Sequence, residues 1–267
     1  MKIGVISDIH IDVNKDYPVL EALAEAIRRK KLHCLVIAGD VSNNSDMTLD
    51  FIQKLSSDSE RPVYFIPGNH DIWEQFAKHR DAGILYEKFR RHPLCLLDSP
   101  VLLDKDWVLT GETGWYDYSF GNSGFTQRDF ERKSINGREW LTSAYADWHK
   151  NDTEVHLEML ARLESQFQRF RGKKIIAVTH MITDRYFTVP QNRENWDYFN
   201  AFLGSADYGT LFEKYGIQYS LMGHVHFRKR LVKNGVSYIC SCLNYYSEWQ
   251  SKSLETEISN ALTVLEI

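Results

Sequence analysis

Cysteine is scarce: four residues in 267, namely Cys34, Cys95, Cys240 and Cys242. Their spacing matches no zinc motif, and no second pair complements Cys240 and Cys242. That argues against a structural zinc site of the usual cysteine-rich kind. Cys34 lies in an apolar run and is expected in the core. All four are expected as reduced thiols in a reducing compartment. Basic residues are not in excess either. Lys and Arg number 32 against 36 Asp and Glu, a net charge of -4, so no broad nucleic-acid-binding face is indicated. No apolar run approaches transmembrane length. The first apolar run, residues 3–6, is too short for the core of a signal peptide. The expected address is the cytoplasm, with no membrane partner. Internal repeats, low-complexity tracts and flexible linkers are also missing.

What remains is ordinary globular composition, 43% hydrophobic and 25% charged, long enough to bury a core without disulfides. Residues 2–6, 33–38 and 61–66 read as buried strands, separated by helices over about 17–31 and 45–55. Asp16 is the expected cap of the first helix. This alternation predicts a parallel sheet with helical crossovers. Residues 73–91, with Phe76, Leu85 and Phe89, read as mixed helical. Strands are expected at 94–97 and 101–110, the latter broken by Asp104-Lys105-Asp106 into a hairpin. Residues 115–125 are aromatic and irregular. Helices are expected near 127–149 and 153–171, with Asp152 capping the second. Strands at 174–178 and 218–222 flank a short helix at 208–214. Those at 228–232, 236–240 and 262–265 are expected to complete a second sheet. The expected organisation is one domain over 1–267, with a helical insertion or cap at 115–171.

The strand ends carry the chemistry. Asp8 and His10 follow the first strand two apart, so in extended backbone they project to one side. Asp40 follows the second strand. After the third comes Gly68-Asn69-His70-Asp71: Asn69 offers a carbonyl oxygen to a metal, His70 moves a proton near neutral pH, and Asp71 is expected to orient that imidazole. His180 follows the strand at 174–178, and His224 and His226 follow the next. Five of the ten histidines thus fall past strands, where exposed polar groups add little stability and open α/β sheets place their sites. The other five (His33, His79, His92, His149, His156) are expected to be structural or exposed. Imidazole, carboxylate and amide oxygen without thiolate suit Mn, Fe, Zn or Ni. The number of ligands suggests two ions, which at about 3.5–4 Å apart are the usual apparatus of phosphoryl hydrolysis.

Asp8-Ile9-His10, Gly39-Asp40, Gly68-Asn69-His70-Asp71, His180 and Gly223-His224-Val225-His226 resemble, in order, the five signature blocks of the calcineurin-like metallophosphoesterases. The blocks span residues 8 to 226. The resemblance implies a four-layer α/β/β/α sandwich with two central mixed sheets. It implies two divalent or trivalent transition-metal ions, one held by Asp8, His10, Asp40 and His226 and the other by Asp40, Asn69, His180 and His224. It further implies hydrolysis of a phosphoester by a metal-bridging hydroxide, with His70 as the acid and Asp71 as its orienter. The expected partner is a small-molecule or nucleotide phosphoester, monoester or diester. A nuclease or DNA-repair phosphodiesterase is the alternative, and it would use a local patch such as Arg128, Arg132, Lys133 and Arg138. A non-catalytic scaffold of the same fold is the other; scaffolds of this kind lack part of the ligand set, which here is whole. Contacts that select the substrate are expected from 115–171 and from loops such as 185–196. The sequence says nothing of oligomeric state.

Overall fold

The computed structural model describes residues 1–74 and 80–267. Phe76 and His79 therefore lie outside the described residues. The architecture is two central mixed sheets with helices on both outer faces. In the first sheet β1 (Lys2–Ile6), β2 (Cys34–Ala38) and β3 (Val63–Ile66) run parallel. Their crossover helices are α1 (Val19–Lys30) and α2 (Ser45–Ser59), and α3 (Ala82–Arg90) follows β3. The second sheet begins with the hairpin β4 (Val101–Leu102) and β5 (Trp107–Glu112). It continues with α4 (Asp152–Arg169), β6 (Lys174–Thr179), α5 (Ala206–Tyr215), β7 (Tyr219–Met222), β8 (Arg228–Lys233) and β9 (Val236–Ser241). After α6 (Leu254–Ala261), the last strand β10 (Thr263–Glu266) returns to the first sheet. The strand orders are β10-β1-β2-β3 and β8-β9-β7-β6-β5-β4. In each sheet the central strands are parallel and the terminal pairings antiparallel, apart from β2–β3 at the first sheet's edge.

Period-two burial separates the two cores. Ile176 and Val178 of β6 face the first sheet with Phe65, Ile66 and Leu221. Ile175 and Ala177 turn the other way, onto Leu163 and Phe167 of α4 and Leu211 and Phe212 of α5. Apolar burial of this kind contributes on the order of 25 cal/mol per Å². The four cysteines are buried and unbridged, with Cys240 and Cys242 on one face, their sulfurs 3.5 Å apart. No helix of the described residues is long and apolar enough to cross a membrane.

Several expectations are corrected. β10 pairs with β1, antiparallel, so it completes the first sheet and not the second. Residues 94–97 form no strand; Cys95 bridges to Phe65 and Leu97 to Gly111, which joins the edges of the two sheets. The expected helix at 127–149 is a five-residue turn of helix (Gln127–Glu131), a two-stranded hairpin around Asn136-Gly137, and a further short helix (Thr142–Tyr145). Asn136 and Gly137, both at positive φ, supply the hairpin turn that breaks the helix. The helix predicted for 153–171 is α4, and it is the crossover covering β5 and not an insertion. Its cap is Asn151, in a reciprocal capping box with Glu154, and not Asp152. Asp152 instead accepts from Trp115 Nε1, Tyr118 Oη and Lys133 Nζ. α1 starts after Pro18 without a side-chain cap from Asp16. The aromatics of 115–120 are packing: Trp115, Tyr116, Tyr118 and Phe120 are all buried.

The largest correction concerns Asp71. Its carboxylate does not meet His70. Oδ2 accepts from the backbone N–H of Asp40 (2.9 Å) and Gly68 (2.7 Å). Oδ1 accepts from the N–H of Val41 (3.0 Å) and Ser42 (3.1 Å) and from Thr48 Oγ1 (2.7 Å). Asp71 is fully buried. Burial and the neighbouring Asp40 push its carboxyl up, to about 7, while the donors from Gly68, Thr48 and Ser42 act the other way. A shell of donors alone fits the ionised form. Asp71 therefore ties the loop after β2 to the loop after β3. Losing it strands several buried N–H groups, each at a cost of about 1–3 kcal/mol. Asp71→Asn, which turns an amide N–H₂ toward N–H donors, should destabilise the fold by about 3 kcal/mol or more, as should Asp71→Ala. Urea unfolding is the measurement. An Asp71→Asn protein as stable as the parent, with only its rate reduced, would restore Asp71 to the role of orienter.

Candidate metal centre

All the ligand-type residues lie just past the carboxyl ends of parallel strands, and the two sheets bring those ends together. Ser7 N–H donates to Ser241 O (3.0 Å) and Leu243 N–H to Ser7 O (2.9 Å), which joins β1 to the end of β9. Asp8 N–H donates to Gly39 O (3.0 Å) and His10 N–H to Asp40 O (3.1 Å). Gly223 N–H donates to His180 O (3.0 Å). The backbone turns sharply here. Asp8, His10, Asp40, His224 and His226 have φ of 51°, 45°, 56°, 73° and 54°. Left-handed backbone costs such residues on the order of 1 kcal/mol each and is found where function over-determines it. Close approach is also built in, since a Cβ on Gly68 would collide with the Asp40 carboxylate and backbone nitrogen.

The polar groups at these strand ends are not the exposed ones expected. Asp8, His10, Asp40, Asn69 and His180 are buried, and His226 is 18% exposed. Three triads have ligand atoms within 4.8 Å of one another: Asp8–His10–His226, His10–Asp40–His70 and Asp40–His180–His224. Asp40 is shared by the last two: its Oδ2 is 3.8 Å from His10 Nε2 and 3.2 Å from His180 Nε2. His226 Nε2 is 3.6 Å from Asp8 Oδ1 and 3.2 Å from His10 Nε2. Asn69 Oδ1 is 3.0 Å from His180 Nε2, and its Nδ2 donates to Thr142 Oγ1 at 2.9 Å, so the amide oxygen turns inward.

The rings are set from behind. His180 Nδ1 meets Ala38 O at 2.9 Å, and His226 Nδ1 meets Glu248 Oε2 at 2.7 Å. Assigning the proton to Nδ1 in both leaves Nε2 as an inward lone pair, the arrangement of a metal-ligating histidine. Burial pushes the His180 imidazole down, but Asp40 and their hydrogen bond outweigh it and bring it up to about 9. Burial also lowers His226, where the bond from Glu248 reverses the direction. Burial, with neighbouring imidazoles, lowers His10 and His224 well below the usual range. His10 Nδ1 and His224 Nε2 are buried without a hydrogen-bond partner. Buried polar atoms left unpartnered are costly, and crowded imidazoles repel one another if charged. A cation among them would relieve that repulsion and take an imidazole lone pair from His224, so the donor set fits a pair of metal ions.

His70 stands beside this centre. Its N–H donates to Asp40 Oδ1 (2.9 Å), and its Nδ1 meets Asn43 Oδ1 at 2.6 Å. Asn43 is held in turn by Asp12 Oδ2 at 2.6 Å. The His70 ring stacks on Trp73, centroids 3.8 Å apart. Three residues escaped the sequence analysis. Asn43 sits three after Asp40, a spacing that could have signalled it. Glu248 and Tyr245 had no signal. They reach the site because Tyr246 N–H donates to Asn14 Oδ1 (2.7 Å) and Asn14 Nδ2 to Asn244 O (2.9 Å). The Tyr245 ring lies 4.6 Å from that of His10 and 4.7 Å from that of His226.

A fourth triad of this kind, Asp117–His156–Asp207, lies outside the centre. Its buried histidine is already accounted for by Trp115 O and Asp207 Oδ2, each 3.3 Å away.

Comparison with known proteins adds the following. A phosphopantetheinyl hydrolase of Mycobacterium tuberculosis superposes with a TM-score of 0.71 at 18% identity, covering 99% of this chain and 95% of that one. A dimetal phosphatase of Danio rerio gives 0.55 at 11% identity, covering 90% and 86%. Both show a shared fold. In sequence, a probable cyclic nucleotide phosphodiesterase of Fibrobacter succinogenes is 37% identical over 89 residues, which is 29% of this chain and 34% of that protein. This chain thus spans about a third of that relative's length. An uncharacterised protein of Acanthamoeba polyphaga mimivirus is 21% identical over 266 residues, 91% of each chain. Residues 1–228, from the first strand through the His224–His226 pair, match the family model described as calcineurin-like phosphoesterase, and the chain belongs to that family.

Proposed function

We propose that the protein hydrolyses a phosphoester at a two-metal centre. The observation that carries this reading is the convergence of buried carboxylate, imidazole and amide donors, with Asp40 shared by two triads. Asp8, His10, Asp40 and His226 would hold one ion, and Asp40, Asn69, His180 and His224 the other. When bound, two such ions supply Lewis acidity, drawing charge from phosphoryl oxygens and lowering the pKa of water toward neutrality. Mn, Fe, Zn and Ni all suit these ligands.

The chain's own residues do the rest. His70 delivers a proton from Nε2 to the departing oxygen. Asn43 fixes the ring by accepting at Nδ1, the place where many catalytic histidines have a carboxylate. A neutral amide orients the ring without stabilising its charged form. Burial leads the influences on His70 and lowers its pKa, with Asp40 and Asp8 opposing, so the imidazolium is the more ready donor. Glu248 orients His226 through Nδ1 and so sets the Nε2 lone pair. The expected substrate is a small-molecule or nucleotide phosphoester.

The test is hydrolysis of a chromogenic phosphodiester and the matching monoester after chelator stripping and manganese reloading. Metal-dependent turnover of either is expected; a protein that binds no manganese and cleaves neither refutes the reading. His70→Ala should retain both ions and lose roughly 10²–10⁴-fold in rate, and Asn43→Ala should lose rate in the same direction without losing metal. Unaltered turnover in His70→Ala would remove it from the chemistry. Glu248→Gln should weaken binding of one ion by roughly 10–100-fold, seen as a separate step in equilibrium dialysis. Two ions bound as tightly as in the parent would mean that Glu248 positions nothing.

A further inference from the structure

The metal centre forms the floor of a cleft of about 610 Å³. That volume is in the range that takes a whole organic ligand, not a phosphoryl group alone. Its walls come from residues outside the strand ends, including Trp140, Leu141, Val189, Trp196 and Phe227. Asp40, Glu139 and Glu248 also line it, and among the described residues Arg193 is the one Lys or Arg that does so.

The loop that carries Arg193 is built rather than slack. Asn200 is fully buried and clamps Val189 from both sides: Val189 N–H donates to its Oδ1 (3.0 Å), and its Nδ2 donates to Val189 O (2.8 Å). Arg193 N–H donates to Pro190 O, and Trp196 N–H donates to Arg193 O, each at 3.1 Å. Asn195, at φ 65°, accepts from Asn136 Nδ2 at 2.7 Å, which ties the loop to the hairpin before Trp140. The Arg193 backbone therefore makes the turn, while its exposed guanidinium takes no part in holding the loop. A fixed loop thus presents a cation to a cleft whose other charged walls are acidic. Guanidinium is the group best matched to phosphate and carboxylate.

We propose that Arg193 forms a second anion subsite. The protein then selects a small organic phosphoester that carries a further anionic group, its organic body lying along Trp140 and Trp196. This rests on the phosphoesterase reading of the floor. A nucleic-acid groove would track a backbone with several cations, and among the described residues this cleft has one Lys or Arg. A substrate with a single phosphoryl group and a neutral body would leave Arg193 unused. A small bis-anionic molecule uses the floor, the apolar wall and the cation together.

Calorimetric titration of the manganese-loaded protein with adenosine 5′-monophosphate and adenosine 3′,5′-bisphosphate tests this without requiring turnover. The bisphosphate should bind about tenfold tighter, the value of one charged hydrogen bond. That advantage should vanish in Arg193→Gln and return in part in Arg193→Lys. Equal affinities in the parent, an advantage untouched by Arg193→Gln, or binding of neither nucleotide each overturn the proposal. So does a ten-residue oligonucleotide that binds more tightly than the bisphosphate with a steep salt dependence. Turnover of the chromogenic ester alongside any of these results would leave the phosphoesterase reading standing and remove only the subsite.

Discussion

A buried carboxylate that touches only donors holds this site together. Asp71 gathers the N–H groups of Asp40, Val41, Ser42 and Gly68 and the Thr48 hydroxyl onto two oxygens. Two of those groups belong to Asp40 and to the residue before Asn69, so one interaction sets where two ligand-type side chains begin. It also explains how the left-handed backbone at Asp40 is maintained. Strain of that kind persists only where surrounding contacts over-determine it, and a charge satisfied by five donors is such a contact. His70 gains indirectly, since its N–H is anchored on the Asp40 carboxylate.

Much of the fold and centre was legible in the sequence because the informative relations are local. Strand identity follows from short apolar runs, and Asp8-His10 and His224-His226 stand past strand ends at spacing two. These residues do come together, though not by extended backbone. In fact Asp8, His10, His224 and His226 are all left-handed, and convergence comes from turning the chain rather than from alternation along it. What stayed hidden is long-range. Glu248 reaches His226 through a turn, at Asn244 and Tyr246, pinned by Asn14 from more than 200 residues away. Asp71 was misassigned because sequence adjacency to His70 suggested a pair, whereas the chain turn after Gly68 points its carboxylate back into the sheet crest. The stretch 115–171 was misread because a crossover helix and a short hairpin region have similar composition. Both open with a reciprocal capping box, Thr126 with Asp129 and Asn151 with Glu154, so the helix starts do not separate them; the Asn136-Gly137 turn does.

The family match ends at residue 228, but the centre does not. Asn244 Nδ2 donates to His226 O at 3.0 Å, Tyr245 packs on two imidazoles, and Glu248 meets a third face. This segment is also where β9 hands the chain back toward the first sheet, and the hydrogen bonds between Ser7 and Ser241–Leu243 close the seam there. The segment 241–248 thus joins the sheets and backs the ring of His226. A perturbation of the seam would move Asp8 and His226 together, because Asn244 N–H donates to Asp8 O at 3.0 Å.

Floor and walls are built by different physics, and this allows them to vary separately. The floor consists of strand-end residues whose backbone is strained, buried and cross-bonded, so nearly any change there disturbs several neighbours at once. The walls stand on connections held by their own anchors: Asn200 clamps Val189, and the Trp140 ring stacks on Phe202 at 5.3 Å. Phe202 is buried, so the outer wall rests on a small aromatic core that does not include a ligand-type residue. Contacts that cross between the two systems include the edge of Trp140 against His224 at 5.8 Å and the hydrogen bond from Asn69 Nδ2 to Thr142 Oγ1 at 2.9 Å. Substrate choice can therefore change through side chains such as that of Arg193, whose loop is shaped without it. Changes at Trp140 would be transmitted to the candidate metal centre through His224.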